Sequence, residues 1–349
     1  MIERPGLGIG HGIHGFLECE SVTAVSYHDT VNDLQGLGFK SRNPFSRPEW
    51  FALLEGAGAR PLIALARDGQ DALALPLSRN LHGLETLSNW YAFTWSDLVT
   101  EGAPRGLLLE RLARDLALKT DRVVLSKLSD EDDTATHLER AFRDAGWFVH
   151  REQCDRNHIL PVNGRSHVDF LAGRPGPLRT TLKRKAKKVE VRLFTDFQDN
   201  AWHSYQAVYA HSWKPEEGDP ELLRQFAESE GKAGRLRLGL ASHEGEVVAA
   251  QMWTVDHGTA YIHKLAHLES AKPLSAGTTL TAALFEQVID RDRVDWVDFG
   301  TGDDPYKRDW METVRPRYRL TCWRTGSPRN WPAIGKSLLR QLVSRPSPL

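Results

Sequence analysis

The chain has 349 residues, 40% of them hydrophobic and 26% charged, with a formal net charge of −1. This is the composition of a soluble globular protein long enough for two domains, and it excludes a global cationic field for nucleic acid, so no DNA partner is expected. No apolar run reaches bilayer length, no signal-peptide core opens the chain, and Cys19, Cys154 and Cys322 are scattered without metal spacing. A cytoplasmic protein with structural thiols, no membrane span and no metal is therefore expected.

Residues 1–16 are rich in Gly and include His11 and His14, but no strand leads into them and no helix follows, so they read as a mobile tail. A first domain is expected over 17–160. Val22 to Tyr27 alternates as a strand, and Ser46 with Glu49 at capping-box spacing, Pro48 between them, marks a helix start. Strands 61–66 and 71–77 flank Asp68-Gly69 as a hairpin. A strand at 84–88, the aromatic segment 90–95, a helix at 105–119, a strand at 123–128, a helix at 137–145 stopped by Gly146 and closing strands over 147–160 complete the unit.

Residues 161–177 are expected as a linker because Gly and Pro cluster at 173–177. A second domain over 178–326 opens on a basic helix, 178–188, and a strand at 189–193. Trp202, Tyr205, Val208, Tyr209 and Trp213 fall at helical spacing before Lys214-Pro215, another helix lies near 220–230, and three strands (235–241, 246–255, 259–267) are joined by tight turns. Arg319 to Arg324 reads as a final strand, and 327–349 as an amphipathic helix.

The stretch Leu274–Trp310 organises the second domain. Ser275-Ala-Gly-Thr-Thr opens a helix with no acidic residue in its first turn, and Gly277 allows close backbone approach. Unpaired N–H groups and the helix dipole make that end an anion site suited to a pyrophosphate. After a short strand, Asp298, Asp303, Asp304, Tyr306 and Lys307 gather at its carboxyl end, where α/β sheets tend to place their chemistry. The halves also echo one another. Asp121-Arg122-Val123 and Asp292-Arg293-Val294 both start a strand after a helix, and the same offset of 171 carries Gly106 onto Gly277 and Asp132-Asp133 onto Asp303-Asp304. The first copy has Ala135-Thr136 where the second has Tyr306-Lys307, which favours the second for chemistry.

Leu274-Ser-Ala-Gly-Thr278 and Asp298-Phe-Gly-Thr-Gly-Asp-Asp-Pro-Tyr-Lys-Arg-Asp-Trp310 together resemble the GCN5-related N-acetyltransferase (GNAT) superfamily, in particular its branch associated with cellulose and exopolysaccharide biosynthesis and the related Fem-type tandem transferases. The resemblance implies an α/β (α+β) fold of two tandem GNAT-like domains, each a mixed, mostly antiparallel sheet flanked by helices. It implies acyl transfer from acetyl-CoA or another acyl-CoA to an amino group of a sugar, peptide or small metabolite. Leu265, Ala266, Lys272, Ser275, Ala276, Gly277, Thr278 and Thr279 become candidate cofactor-binding residues, although Ser275 stands where the family's pyrophosphate loop has Gly.

No Ser-His-Asp or Cys-His nucleophile pattern is present, so direct transfer is expected. Asp298 and Asp303 are candidates for base or amine-orienting groups, Lys307 for an oxyanion partner, Tyr306 for an acid or pocket wall, and His263 for a substrate-facing group. Asp304 before Pro305 reads as a helix cap. Gln251, Trp90, Tyr91, Trp95 and Trp310 are candidate substrate-binding residues, the aromatic ones as walls. The basic run Arg179–Arg192 is a candidate anion-docking face. Two other readings remain: a Fem-like transferase using aminoacyl-tRNA, the one case with a tRNA partner, and a non-catalytic accessory protein of polysaccharide assembly.

Overall fold

The computed structural model describes residues 23–41 and 43–343. The expected tail, with His11 and His14, lies outside them, as does Cys19.

In the first half, β1 (Ala24–His28), α1 (Pro48–Gly56), β2 (Pro61–Asp68), β3 (Asp71–Asn80), β4 (Gly83–Thr86) and β5 (Leu98–Val99) lead to α2 (Arg105–Leu116), β6 (Arg122–Leu128), α3 (Thr134–Asp144) and β7 (Trp147–Pro161). Pro48 begins α1 as its fixed φ favours, but Arg47 occupies the cap position with no side-chain cap bond; Ser46 Oγ instead bonds Asn43. The expected linker carries α4 (His167–Ala172), capped by Ser166, and the start of α5 (Gly176–Lys185). Then come β8 (Glu190–Phe194), α6 (Asp199–Ala210), α7 (Pro220–Lys232), β9 (Leu236–His243), β10 (Glu246–Asp256), β11 (Thr259–His267), α8 (Ala276–Glu286), β12 (Trp296–Thr301), α9 (Lys307–Trp310), β13 (Thr313–Arg324) and α10 (Trp331–Val343).

The strands of the described residues form one mixed sheet in the order β1-β2-β3-β4-β6-β13-β7-β12-β11-β10-β9-β8, with β5 beside β3. The halves exchange strands at the centre. β13, the last strand, inserts between β6 and β7 of the first half, while the end of β7 pairs with β12 of the second. Two cores follow the pleat. On β10, Ala250 and Met252 join a core with Trp202 and Tyr205 of α6, whereas Trp253 joins another with Leu280 and Phe285 of α8. The first of these cores runs across both halves, where the buried Arg47, just ahead of α1, pairs with Glu230 of α7 at 3.1 Å.

Each half contains one parallel pairing after an antiparallel run. β11 and β12 are in register only from Thr259↔Trp296 to Tyr261↔Asp298, and β4 and β6 only at Leu84↔Val123 and Glu85↔Val124. Beyond those few residues each pair splays. In the first half the opening is filled by the chain's own aromatic segment: Trp95 bridges Leu128, is 1% exposed, and donates its indole N–H to Pro76 O at 3.2 Å. In the second half the opening remains a cleft.

Candidate functional site

Two adjoining clefts occupy the splay between β11 and β12. The first, about 380 Å³, is lined by Leu178, Gln251, Leu265, Ala266, Lys272, Ser275, Ala276, Gly277, Thr278 and Trp310 among others. The second, about 320 Å³, is lined by Trp90, Phe93, Tyr209, Lys214, His263, Lys264, Gly300, Thr301, Asp304 and Lys307. Leu265, Phe299 and Tyr306 line both and form the threshold between them.

The start of α8 closes one end of the first cleft. Ser275 holds the left-handed conformation (φ 53°) that turns the chain into the helix, and Thr279 N–H reaches back to Ser275 O at 3.1 Å. Helix geometry leaves the N–H groups of the first turn without partners inside the helix, and that turn carries no acidic residue. Lys185, at the end of the basic helix, donates to Ser275 Oγ at 3.1 Å, bringing one cation of the Arg179–Arg192 run to this corner. Thr279, expected with the others, does not line the cleft; its hydroxyl is buried. Gln251 faces the cleft, but its amide donates to Gly277 O (3.1 Å) and Thr281 Oγ1 (2.7 Å) and accepts from Trp253 Nε1 (2.9 Å). It ties β10 to α8 and so fixes the opening turn. A Cβ on Gly277 would meet His267 Nδ1 at 3.4 Å, so the glycine serves the width of the cleft rather than a backbone angle that only glycine adopts.

The expected catalytic residues separate into distinct environments. Asp298 is buried and braced: its Oδ1 accepts from Asn157 Nδ2 and from Gly300 N–H, both at 2.7 Å, and Arg317 Nη2 bonds Asn157 Oδ1 at 2.8 Å. Burial raises its carboxyl pKa, partly offset by Arg317 and the two donors. Asp303 lies outside both clefts, held by Arg308, Arg156 and His158 at 2.9–3.1 Å, with Arg308 first among the groups that lower its pKa. A carboxylate so engaged is poorly placed to take a proton from a substrate. His263 lines the second cleft amid Phe45, Phe93 and Phe226 (ring centroids 5.1–5.7 Å), bonds Thr254 Oγ1 at 2.8 Å, and has its pKa pushed down to about 3 by burial. It remains neutral near pH 7 and is a feeble base there.

Tyr306 stands at the threshold with its hydroxyl kept protonated by burial and by Asp304 beside it. Lys307 is 4% exposed and donates to the carbonyls of Thr301 and Gly302, bracing the loop that Asp298 anchors from below. Asp304 was expected to cap the next helix. That helix, α9, is a single turn whose cap position belongs to Tyr306 with no side-chain cap bond, and Asp304 instead lines the second cleft.

Of the expected aromatic wall, Trp90 (57% exposed) lines the second cleft, Tyr91 stands behind it, and Trp95 is core, because it fills the splay of its own half. Trp310 lines the first cleft, stacked on Phe285 with centroids 5.1 Å apart. The sequence reading missed Lys264, Glu217 and Lys214. Lys264 Nζ lies 3.8 Å over the Trp90 ring and 2.8 Å from Glu217 Oε1, which also accepts from the Tyr91 hydroxyl at 2.7 Å. Burial pushes the Lys264 pKa down to about 8 against the pull of Glu217. A lysine inside the apolar strand Ala260–Ala266 and a Lys-Pro-Glu-Glu turn were the available signals.

Residues 176–308 match the model of the acetyltransferase (GNAT) domain. Among solved structures, FemX aligns with 88% of this chain and 100% of its own at a TM-score of 0.62 and 9% identity. The C-terminal domain of a protein described as a lysylphosphatidylglycerol synthetase from Agrobacterium fabrum aligns with 90% of this chain and 96% of its own (TM-score 0.57, 11% identity), and L-PGS from Bacillus licheniformis with 88% and 99% (0.53, 14%). No curated protein matches the chain. Residues 176–308 thus match a GNAT acetyltransferase domain by sequence, and the chain as a whole shares a mixed α/β fold with FemX.

Proposed function

We propose that the protein transfers an acyl group, most simply acetyl, from the thioester of coenzyme A directly to an amino group, with the second half binding the donor and the first half supplying one wall of the acceptor cleft. The observation that carries this reading is the continuity of the two clefts across Leu265, Phe299 and Tyr306, one ending at the first turn of α8, which carries no acidic residue. Leu265, Ala266 and Ser275 to Thr278 would hold the donor. The pyrophosphate suits the first turn of α8, and the extended arm suits the edge of β11 that β12 leaves beyond Tyr261. The thioester carbonyl then falls near the threshold.

A lysine-like amine has a reference pKa of about 10.4 and must lose a proton before attack. Asp304, the carboxylate lining the acceptor cleft, is the group in this reading that orients it and takes up the proton. Lys307 retains donor capacity for the oxyanion, since a lysine ammonium has three N–H bonds. Tyr306 hydrogen-bonds the leaving thiolate without giving up its proton, because its pKa is raised above that of an ordinary thiol, about 8.5.

Calorimetric titration of coenzyme A and acetyl-CoA into wild type and Gly277→Trp tests the donor. Micromolar binding lost in the variant, with thiol release on adding amines, is the expected result; no binding to wild type overturns the reading. The position of Lys185 against Ser275 favours a second reading, a Fem-like transfer from aminoacyl-tRNA, for which tRNA binding with a steep salt slope is the test. Absence of both donors would leave the accessory role in polysaccharide assembly.

A further inference from the structure

Three lysines from three elements converge on the second cleft: Lys264 of β11, Lys307 of α9 and Lys214 of the turn between α6 and α7. Lys264 and Lys307 are 8% and 4% exposed. One carboxylate, Asp304, lines the same cleft, and Glu217 reaches Lys264 from the neighbouring groove. Each lysine is held below its ordinary pKa first by loss of solvent; Lys214 pushes both of the others further down, while Asp304 pulls Lys214, and with Asp298 and Asp155 also Lys307, back up. Ammonium groups taken out of water and crowded together are costly unless an anion joins them. The protein's own bonds leave room for one. Lys264 spends one N–H on Glu217, Lys307 points two at carbonyls, and Lys214 lies 5.3 Å over the Trp213 ring.

The site is also shaped for a small anionic group rather than for bulk phosphate at a surface. Trp90 and Phe93 of the first half close one side, and Gly300 meets the Phe93 ring so closely that a Cβ there would stand 3.0 Å from it. The α8 anion site is separate, on the far side of the Tyr306 threshold, so the donor's phosphates do not account for this charge.

We propose that the second cleft selects acceptors that carry a carboxylate or phosphate close to the amine, with Lys214 and Lys264 binding the anion. The assignment of this cleft to the acceptor rests on the acyl-transfer reading; the anion site itself does not. The anion would offset the lysine repulsion and leave the neighbouring amine facing Asp304 and the threshold.

The test uses three matched probes, O-phosphoethanolamine, β-alanine and ethanolamine, titrated calorimetrically into the full chain and into Lys214→Ala and Lys264→Gln. The expected result is at least tenfold tighter binding of one or both anionic amines than of ethanolamine, weakened by salt and mostly lost in Lys214→Ala. The stronger of the phosphate and carboxylate arms identifies the anion. Lys214 is half-buried on a turn, so its variant reads the site even if Lys264→Gln, which strands Glu217, fails to fold. Equal binding of the three probes, or a preference unchanged in Lys214→Ala, overturns the proposal. Coenzyme A binding without anion preference sinks this inference alone. Lysine-dependent anion preference without coenzyme A binding sinks the donor reading alone.

Discussion

Asp298 offers the sharpest separation between a chemical and an architectural role, because one oxygen, Oδ1, accepts both of its hydrogen bonds. Asp298→Asn keeps an oxygen in that position and discards the buried charge. Asp298→Ala removes the acceptor and leaves Asn157 Nδ2 and the Gly300 N–H buried without it. Stranding a buried donor costs about 1–3 kcal/mol, so the alanine variant should lose about 2–6 kcal/mol. At about 2.1 cal/mol/K of unfolding entropy per residue, a chain of 349 residues shifts by roughly 1.4 °C per kcal/mol, which puts the fall in Tm at roughly 3–8 °C. The asparagine variant should stay within about 1 kcal/mol of wild type, since it exchanges attraction to Arg317 for relief from desolvation.

The pH dependence has a definite sign. The folded pKa of Asp298 is raised, so its contribution is fully present below the unfolded value, about 3.9, and is lost as pH rises through the folded value. Asp298→Asn should remove that fall. Thermal unfolding by circular dichroism across pH 3–7 measures both effects. Asn and Ala variants equally destabilised would refute the brace. An Asn variant with wild-type Tm and donor binding but no acyl transfer would return Asp298 to the chemistry.

Gly300 has φ +69° and a Phe93 ring carbon 3.0 Å from the site of a Cβ, so Gly300→Ala should cost about 1–3 kcal/mol and loosen the loop carrying Thr301 and Asp304. Gly277→Ala, whose Cβ would meet only the His267 ring, should change Tm by less than about 1 °C; comparable losses in the two variants would contradict the geometry. Lys264 should titrate near 8 by NMR of reductively methylated protein, and Glu217→Gln should move the midpoint lower; a midpoint moving up would show that Glu217 is not the opposing influence. Because the folded pKa lies below the usual 10.5, the unfolded chain holds the extra proton between those values, and this lysine makes stability rise with pH over about 8–10.5.

Much of the architecture was local information. Apolar runs bounded by tight turns set β2, β3, β9, β10 and β11, Pro48 and Pro220 set helix starts, and the spacing of Asp121 and Asp292 suggested two related halves. The Ser275–Thr279 helix start and the Asp298–Trp310 loop, which border the clefts, could likewise be picked out, because small residues and turn residues leave a local signature.

Which side chain faces which cleft was decided by tertiary structure. Met252 pairs with Lys264 and Trp253 with Ile262, so His263 is the extra residue of a bulge that shifts the alternation of β11. Without it, Lys264 would share a face with Ile262; with it, Lys264 lies over Trp90, Tyr91 and Tyr209. The exchange of β7 and β13 likewise brings Asn157 and Arg317 to Asp298, over separations of 141 residues for the first and 160 between the two. Trp90 and Trp95, five positions apart, end on a cleft and in the core because one half's splay is filled by its own chain. Local sequence fixes backbone preference and periodicity, but a bulge, a strand exchange and a filled splay depend on which distant segment arrives, and that decided the charge and shape of the site.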